Sequence, residues 1–344
     1  MPAIKHLSRF AAIALAGACT LSAQQPATSP AATGPAAPPR PPRIVRPGVH
    51  TPGVSHTMDE LKKDATFPVE GSPDWQVITK DHGVWVSSAR ANHVVQLLPA
   101  TNTVGIIADV ARPCAGLTEG FGSIWVPSCG PAHEIERLDP ATGKIVASIP
   151  AEAANSEGGI ATGAGSIWFV VKPSKLLRID PKTNSVAATI ELPEGTENPV
   201  FANGFVWISS FGQNTVVKVD PKTNSVVATI PVGPKPRFIT ASEDFVWTLN
   251  QGDGAISKID QKTNKLVATI EAGIPGSGGD LSYSGGYVWA AMFDFPLTQV
   301  DAKTDKVVNQ WAGPGGDGMR AGLGSVWLSN LRLASVYRIP FQQK

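Results

Sequence analysis

Five carboxylates recur at one position of an internal repeat. Asp74, Glu157, Glu197, Asp280 and Asp317 each lie nine to eleven residues ahead of a tryptophan in the series Trp85, Trp168, Trp207, Trp289 and Trp327. Two further units carry Cys114 ahead of Trp125 and Arg237 ahead of Trp247. The segments read Asp74-Trp75, Cys114, Glu157-Gly158, Glu197-Asn198, Arg237-Phe238, Gly279-Asp280 and Asp317-Gly318, with Arg320 just beyond the last. Carboxylates converging on a concave surface could ligate a hard cation, Mg²⁺ or Ca²⁺, with Glu157 and Asp280 the candidate ligands. They could equally hold a cationic or polyhydroxyl molecule, with Arg237 pairing an anionic part of it. They could also be solvated, or paired with one another, around a water-filled channel.

Whether the carboxylates converge depends on the repeat. Seven tryptophans, Trp85, Trp125, Trp168, Trp207, Trp247, Trp289 and Trp327, follow one another every 38 to 43 residues, each inside a short apolar stretch such as Ser123-Ile124-Trp125-Val126. A second marker runs in step with them. The turn Asp-Pro-Lys-Thr-Asn occurs at Asp180 to Asn184 and at Asp220 to Asn224, with variants at residues 98–102, 139–143, 260–264 and 301–305. Two markers with one period define a repeat of about 40 residues. Within residues 237–272, β-branched content and short alternation give four strands: Phe238–Thr240, Phe245–Leu249, Ala255–Ile259 and Lys265–Glu271. Asp accepts bonds from following amides, Pro presets φ, and Asn tolerates the left-handed conformation that closes a hairpin.

Four-stranded units repeated in this way predict an all-β, seven-bladed β-propeller of antiparallel blades. The chain ends choose a closed ring over an open array. After Trp327 only one more strand remains, while Ala65 to Val69 matches the fourth strand Ala228 to Val232 without a third strand before it. The N-terminal strand therefore completes the last blade, and closure removes exposed sheet edges. In this architecture the tryptophans pack between blades. First strands line a central channel, so the charged segments ring its mouth. The connections on that face vary between repeats, whereas those on the other face are nearly uniform, so function is expected at the variable mouth.

The first residues read as an export signal over 1–23. Lys5, His6 and Arg9 precede an apolar run from Phe10 to Ala18, and Leu21-Ser22-Ala23 offers a cleavage site. The alternative is a lipoprotein modified at Cys19. Residues 24–57 read as a Pro-rich disordered linker, with eight prolines between 26 and 47, and the propeller is expected over 58–344. The expected location is the periplasm or outside the cell. Losing residues 1–23 removes two cations and no acid from a formal charge of +1, leaving −1. Such a balance argues against nucleic acid or an anionic membrane surface as partner. No later stretch is long and apolar enough to span a bilayer, and a monomer is expected. Partners are then a small molecule or a protein at the variable face, and Mg²⁺ or Ca²⁺ is the one cofactor the residues suggest.

Cys114 and Cys129 flank the hairpin turn at Phe121-Gly122 at equal distances, which reads as direct cross-strand neighbours and, in an exported chain, a disulfide. His93 and His133 fall in strand-two to strand-three connections on the variable face. No nucleophile elbow, zinc-protease motif or phosphate loop accompanies them.

Gly122-Ser123-Ile124-Trp125-Val126 and the run from Asp220 to Gly233 resemble the YVTN/YncE-type periplasmic β-propellers and the related streptogramin (virginiamycin B) lyase-like propellers. The resemblance covers residues 64 to 340. The first group implies binding in the periplasm. The second implies metal-assisted elimination on a cyclic or lactone-type compound, with His and a Glu holding Mg²⁺ at the channel mouth. Its His sits in a Pro-His-Gly segment before a first strand, where this chain carries Glu157, Arg237-Phe238 and Asp280, so that catalytic set does not transfer. A quinoprotein docking motif is also excluded, since the tryptophans lie in second strands rather than fourth.

Overall fold

A computed structural model describes residues 46–155 and 157–344. The expected signal peptide, Cys19 and the linker as far as residue 45 lie outside these residues. Seven sheets of antiparallel strands follow one another around a ring, and each contains four consecutive strands or their equivalent. Blades 1 to 6 comprise residues 73–109, 118–150, 160–191, 196–231, 236–271 and 280–312. Blade 7 takes three strands from residues 319–340 and its fourth from Ala65–Pro68, which pairs with Ser335–Pro340 in the register Ala65↔Arg338. The expected closure is therefore present.

The ring is held by the tryptophans. All seven are at most 2% exposed, and each packs forward onto the next blade. Trp125 lies among Ile167, Phe169 and Ile179 of blade 3. Trp168 lies among Val206, Ile208 and Val219 of blade 4. Trp327 closes the circle against Val84, Val86 and Val95 of blade 1. Burying such a side chain contributes on the order of 3 kcal/mol per blade interface.

A second interblade device lies beneath the rings. In five blades the strand-three residue opposite the tryptophan is a cation: Arg137, Arg178, Lys218, Lys258 and Arg338. Each sits 4.5 to 5.9 Å over its own tryptophan ring and reaches into the Asp-Pro-type turn of the following blade. Arg178 donates to the Pro221 carbonyl at 2.9 Å and to Asn224 Oδ1 at 3.0 Å. Lys258 donates likewise to the Ala302 carbonyl and to Asp305. The turn asparagine thus serves twice. It adopts a positive φ, +52° at both Asn184 and Asn224, and it accepts the neighbour's cation. Gln96 replaces the cation in blade 1, where the next turn carries Gly143 and has no side-chain acceptor. Gln299 replaces it in blade 6, whose neighbour receives its fourth strand from the N-terminal side and so has no such turn.

Residues 46–57, within the range read as linker, belong to the ordered domain. Ser55–Thr57 adds a fifth strand to blade 6, parallel to Lys306–Ala312 in the register Ser55↔Gln310. Gln310 anchors it by accepting the Val49 amide at 2.7 Å. The Cys114–Cys129 disulfide is present with Cα atoms 5.6 Å apart, but the two are not direct partners. The Cys114 amide bonds to the Pro127 carbonyl and the Cys129 amide to the Arg112 carbonyl, whereas Thr118 faces Trp125 further along. Two extra residues on the Cys114 side shift the register, so the bridge runs diagonally.

Among the described residues no helix is long and apolar enough to cross a membrane.

Candidate functional site

First strands line the channel, as the ring requires. Its lower part, toward the uniform face, is walled by all seven of them, with Val77, Leu117, Ile160, Pro199, Ile239, Leu281 and Arg320 among the residues. Above this lies an aromatic barrier. Trp75 of blade 1 meets Phe238 of blade 5 with ring centroids 5.9 Å apart. These blades are not adjacent in the ring, so rings that touch must stand across the axis. Trp75, expected as a ligand contact, is buried here and closes the channel beneath the mouth.

On the mouth side a cavity of about 410 Å³ is lined by Glu157, Phe211, Lys235, Arg237, Gln251, Gly252, Pro275, Gly276, Ser277 and Gly278. Its cationic wall is held rigidly. Arg237 pairs with Glu197 at 2.8 Å, donates from Nε to Gln251 Oε1 at 3.0 Å and lies 4.3 Å over the Phe211 ring. Gln251 in turn donates to the Gly278 carbonyl at 2.9 Å, tying the glycine-rich wall to the same network. Lys235 is exposed at the rim. At Gly276 and Gly278 φ is +146° and +76°, a backbone that side-chain-bearing residues rarely adopt, and a side chain there would run into the Arg46 guanidinium and the Phe293 ring.

The carboxylates divide into two sets. Glu197 and Asn198 are buried below the cavity as supports. Glu197 accepts from Asn155 at 2.8 Å as well as pairing with Arg237, and Asn198 donates to the Glu157 carbonyl at 2.7 Å. Asp280, 2% exposed, is also committed. It accepts from the Leu281 and Met319 amides and pairs with Arg320, whose side chain lies on the lower-channel side. Asp74, Glu157 and Asp317 remain as acids with unspent capacity. Burial raises the pKa of all three above the ordinary carboxylate range, and their mutual repulsion adds to it for Asp74 and Asp317. Asp317 is pushed up to about 7 even though the Gly279 amide favours its ionised form. Asp74 is raised strongly by burial, then by Asp317, Glu157 and Asp280. Burial also raises Glu157 against the pull of Arg237.

These donors do not suit Mg²⁺ or Ca²⁺. The Asp280 carboxylate is filled by two amides and a guanidinium, and among the described residues no three Asp, Glu, His or Cys side chains come together as a metal site needs. Neither His93 nor His133 lines the cavity. His93 begins the third strand of blade 1 and is buried beside an outer groove with Val69 and Ile107. His133 is exposed in a turn at φ +50°.

Comparing the entry segments brought out Glu157 and Arg237 but missed Phe211, Lys235 and Gln251. Phe211 and Gln251 both follow directly on second strands, Phe205–Ser210 and Phe245–Asn250. A comparison of the residues after each second strand would have shown the break in the repeat.

The fold is similar to that of a streptogramin B lyase, with a TM-score of 0.65 and 17% identity over 79% of this chain and 93% of that one. At this identity the likeness shows the fold alone, and 1636 solved chains match, too many for the fold to select an activity. No family model and no curated protein sequence matches the chain.

Proposed function

We propose that this chain is an exported propeller that binds a small zwitterionic ligand at the variable-face mouth. The observation that carries the reading is the two-signed lining of the mouth cavity. Lys235 and the braced Arg237 share the lining with Glu157, whose charge is felt by Asp74 and Asp317. A ligand's anionic group is recognised by the cations and the glycine-rich main chain, and its cationic group by the carboxylates. Burial raises the pKa of these acids, Asp317 to about 7, so a cation that binds beside Asp317 displaces part of its proton near neutral pH.

Binding is favoured over elimination chemistry because no described histidine lines this cavity and its acids do not form a metal-ligand set. The repeat's resemblance to YVTN/YncE-type periplasmic propellers points the same way. Export is supported by the Cys114–Cys129 bridge, since such bonds persist in oxidising compartments. The test is calorimetric titration of the mature domain with amino acids and dipeptides, alongside analogues lacking either charge. A zwitterion should bind, each singly charged analogue should bind at least about tenfold more weakly, and Glu157→Gln should cost a similar factor. A change on the opposite face, Lys182→Ala, should leave binding unaltered.

A further inference from the structure

A second cavity, of about 400 Å³, lies at the seam where the ring closes, between blades 6 and 7. Its origin is structural. Elsewhere the space beneath each tryptophan is covered by the next blade's turn and, in five blades, occupied by a cation lying over the ring. Blade 7 has no turn joining its third and fourth strands, and blade 6 has Gln299 where the cation would be. The repeat breaks here in a second way. Trp311 stands where blades 3, 4 and 5 carry buried Ile190, Ile230 and Ile270.

Aromatic rings therefore line the part of the seam where the sibling blades carry a cation. Trp289, Trp311, Tyr287 and Phe341 line the cavity together with His56, which lies 5.5 Å from Trp311. Trp289 and Phe341 are 5.2 Å apart. Glu60 is the one carboxylate among the lining residues, and Lys62, also in the lining, is exposed. Lys344 lies over Tyr287 and pairs with Asp301, outside the lining. Gln299 accepts from Asn309 at 2.7 Å, and Asn309 bonds to His56 at 3.0 Å, so the amides are held in place. The Trp289 N–H is buried and has no acceptor among the described residues. In Trp125, Trp168, Trp207 and Trp327 that group donates to the carbonyl five residues earlier. Trp85 and Trp247 also lack an acceptor.

We propose that the seam cavity is a binding site for a small organic cation of the alkylammonium type. The five sibling blades show what rests on this tryptophan face, an ammonium or guanidinium group. An aromatic cage supplies the attraction that Gln299 leaves unused. The site is independent of the mouth.

The test uses the whole mature chain and choline as probe, followed by calorimetry and tryptophan fluorescence, with 3,3-dimethylbutan-1-ol as the uncharged isostere. Choline should bind at about millimolar concentration or tighter, and the neutral alcohol at least about tenfold more weakly. Gln299→Arg restores the sibling cation and should abolish choline binding without loss of thermal stability. Trp311→Ile, the residue of the sibling blades, should weaken it at least about tenfold. Equal binding of alcohol and choline would overturn the proposal, as would no choline binding or full binding by Gln299→Arg. Loss of choline binding in Glu157→Gln but not in Gln299→Arg would place the cation at the mouth and refute the seam site.

Discussion

Replacing Asp317 by Asn should make the domain more stable at pH 8 and flatten its response to pH. In the fold this acid titrates at about 7, against an ordinary value of 3.8. Its pKa is raised, so the native state holds a proton that the unfolded chain releases, and stability falls as pH rises between those two values. Three units at about 1.4 kcal/mol each give an upper bound of about 4 kcal/mol lost by pH 8. Part of that belongs jointly to Asp74, which is raised by the same neighbours. Asn keeps an oxygen for the Gly279 amide, which bonds to Asp317 Oδ1 at 3.2 Å, and it lacks the charge. Urea unfolding followed at pH 5, 6, 7 and 8 reads the effect. The wild type should lose stability from pH 5 to 7 and level off toward pH 8, and Asp317→Asn should lose at least about 1 kcal/mol less. Parallel profiles for the two proteins, or a variant less stable than wild type at pH 8, would refute the reading of a proton-holding mouth. The same linkage makes cation binding at the mouth release protons near pH 7, which appears as a binding enthalpy that depends on the buffer.

Two other outcomes follow from the ring itself. Arg178→Ala should cost about 2–3 kcal/mol in urea unfolding, because it removes the bonds to Pro221 and Asn224 and the contact over Trp168. Asn224→Gly copies the blade-2 turn, keeps the positive φ and loses the acceptor. The double variant should then fall short of additivity by about 1 kcal/mol, and strict additivity would count against the clasp. Replacing Cys114 and Cys129 by Ser should cost about 3 kcal/mol for a loop closed over 15 residues. The wild-type chain recovered from the periplasm or medium should carry the oxidised bond and begin near Gln24, and a chain found reduced or beginning at Met1 would sink the export reading.

Blade number and closure were legible because two independent markers share one period and because Ala65–Pro68 matches a fourth strand that the last blade lacks. The double use of the turn asparagine was half legible. Its left-handed role is local, but its partner Arg178 lies 46 residues away and reaches it only once blades are side by side. The parallel strand Ser55–Thr57 was hidden. It has three residues, no alternating pattern, and a partner at Gln310 that carries no local signal. Glu157 and Arg237 stood out by breaking the repeat. The commitment of Asp280 to Arg320 and two amides, and the meeting of Trp75 with Phe238 across the axis, depend on the radius of the ring, which no repeat spacing encodes.

The mouth reading rests most directly on calorimetric titration of the mature domain with the zwitterion panel at pH 7. A zwitterion should bind, Glu157→Gln and Lys235→Ala should each weaken it by at least about tenfold, and proton release on binding should be smaller in Asp317→Asn. A panel with no binding zwitterion, or one whose binding survives both substitutions unchanged, would contradict it.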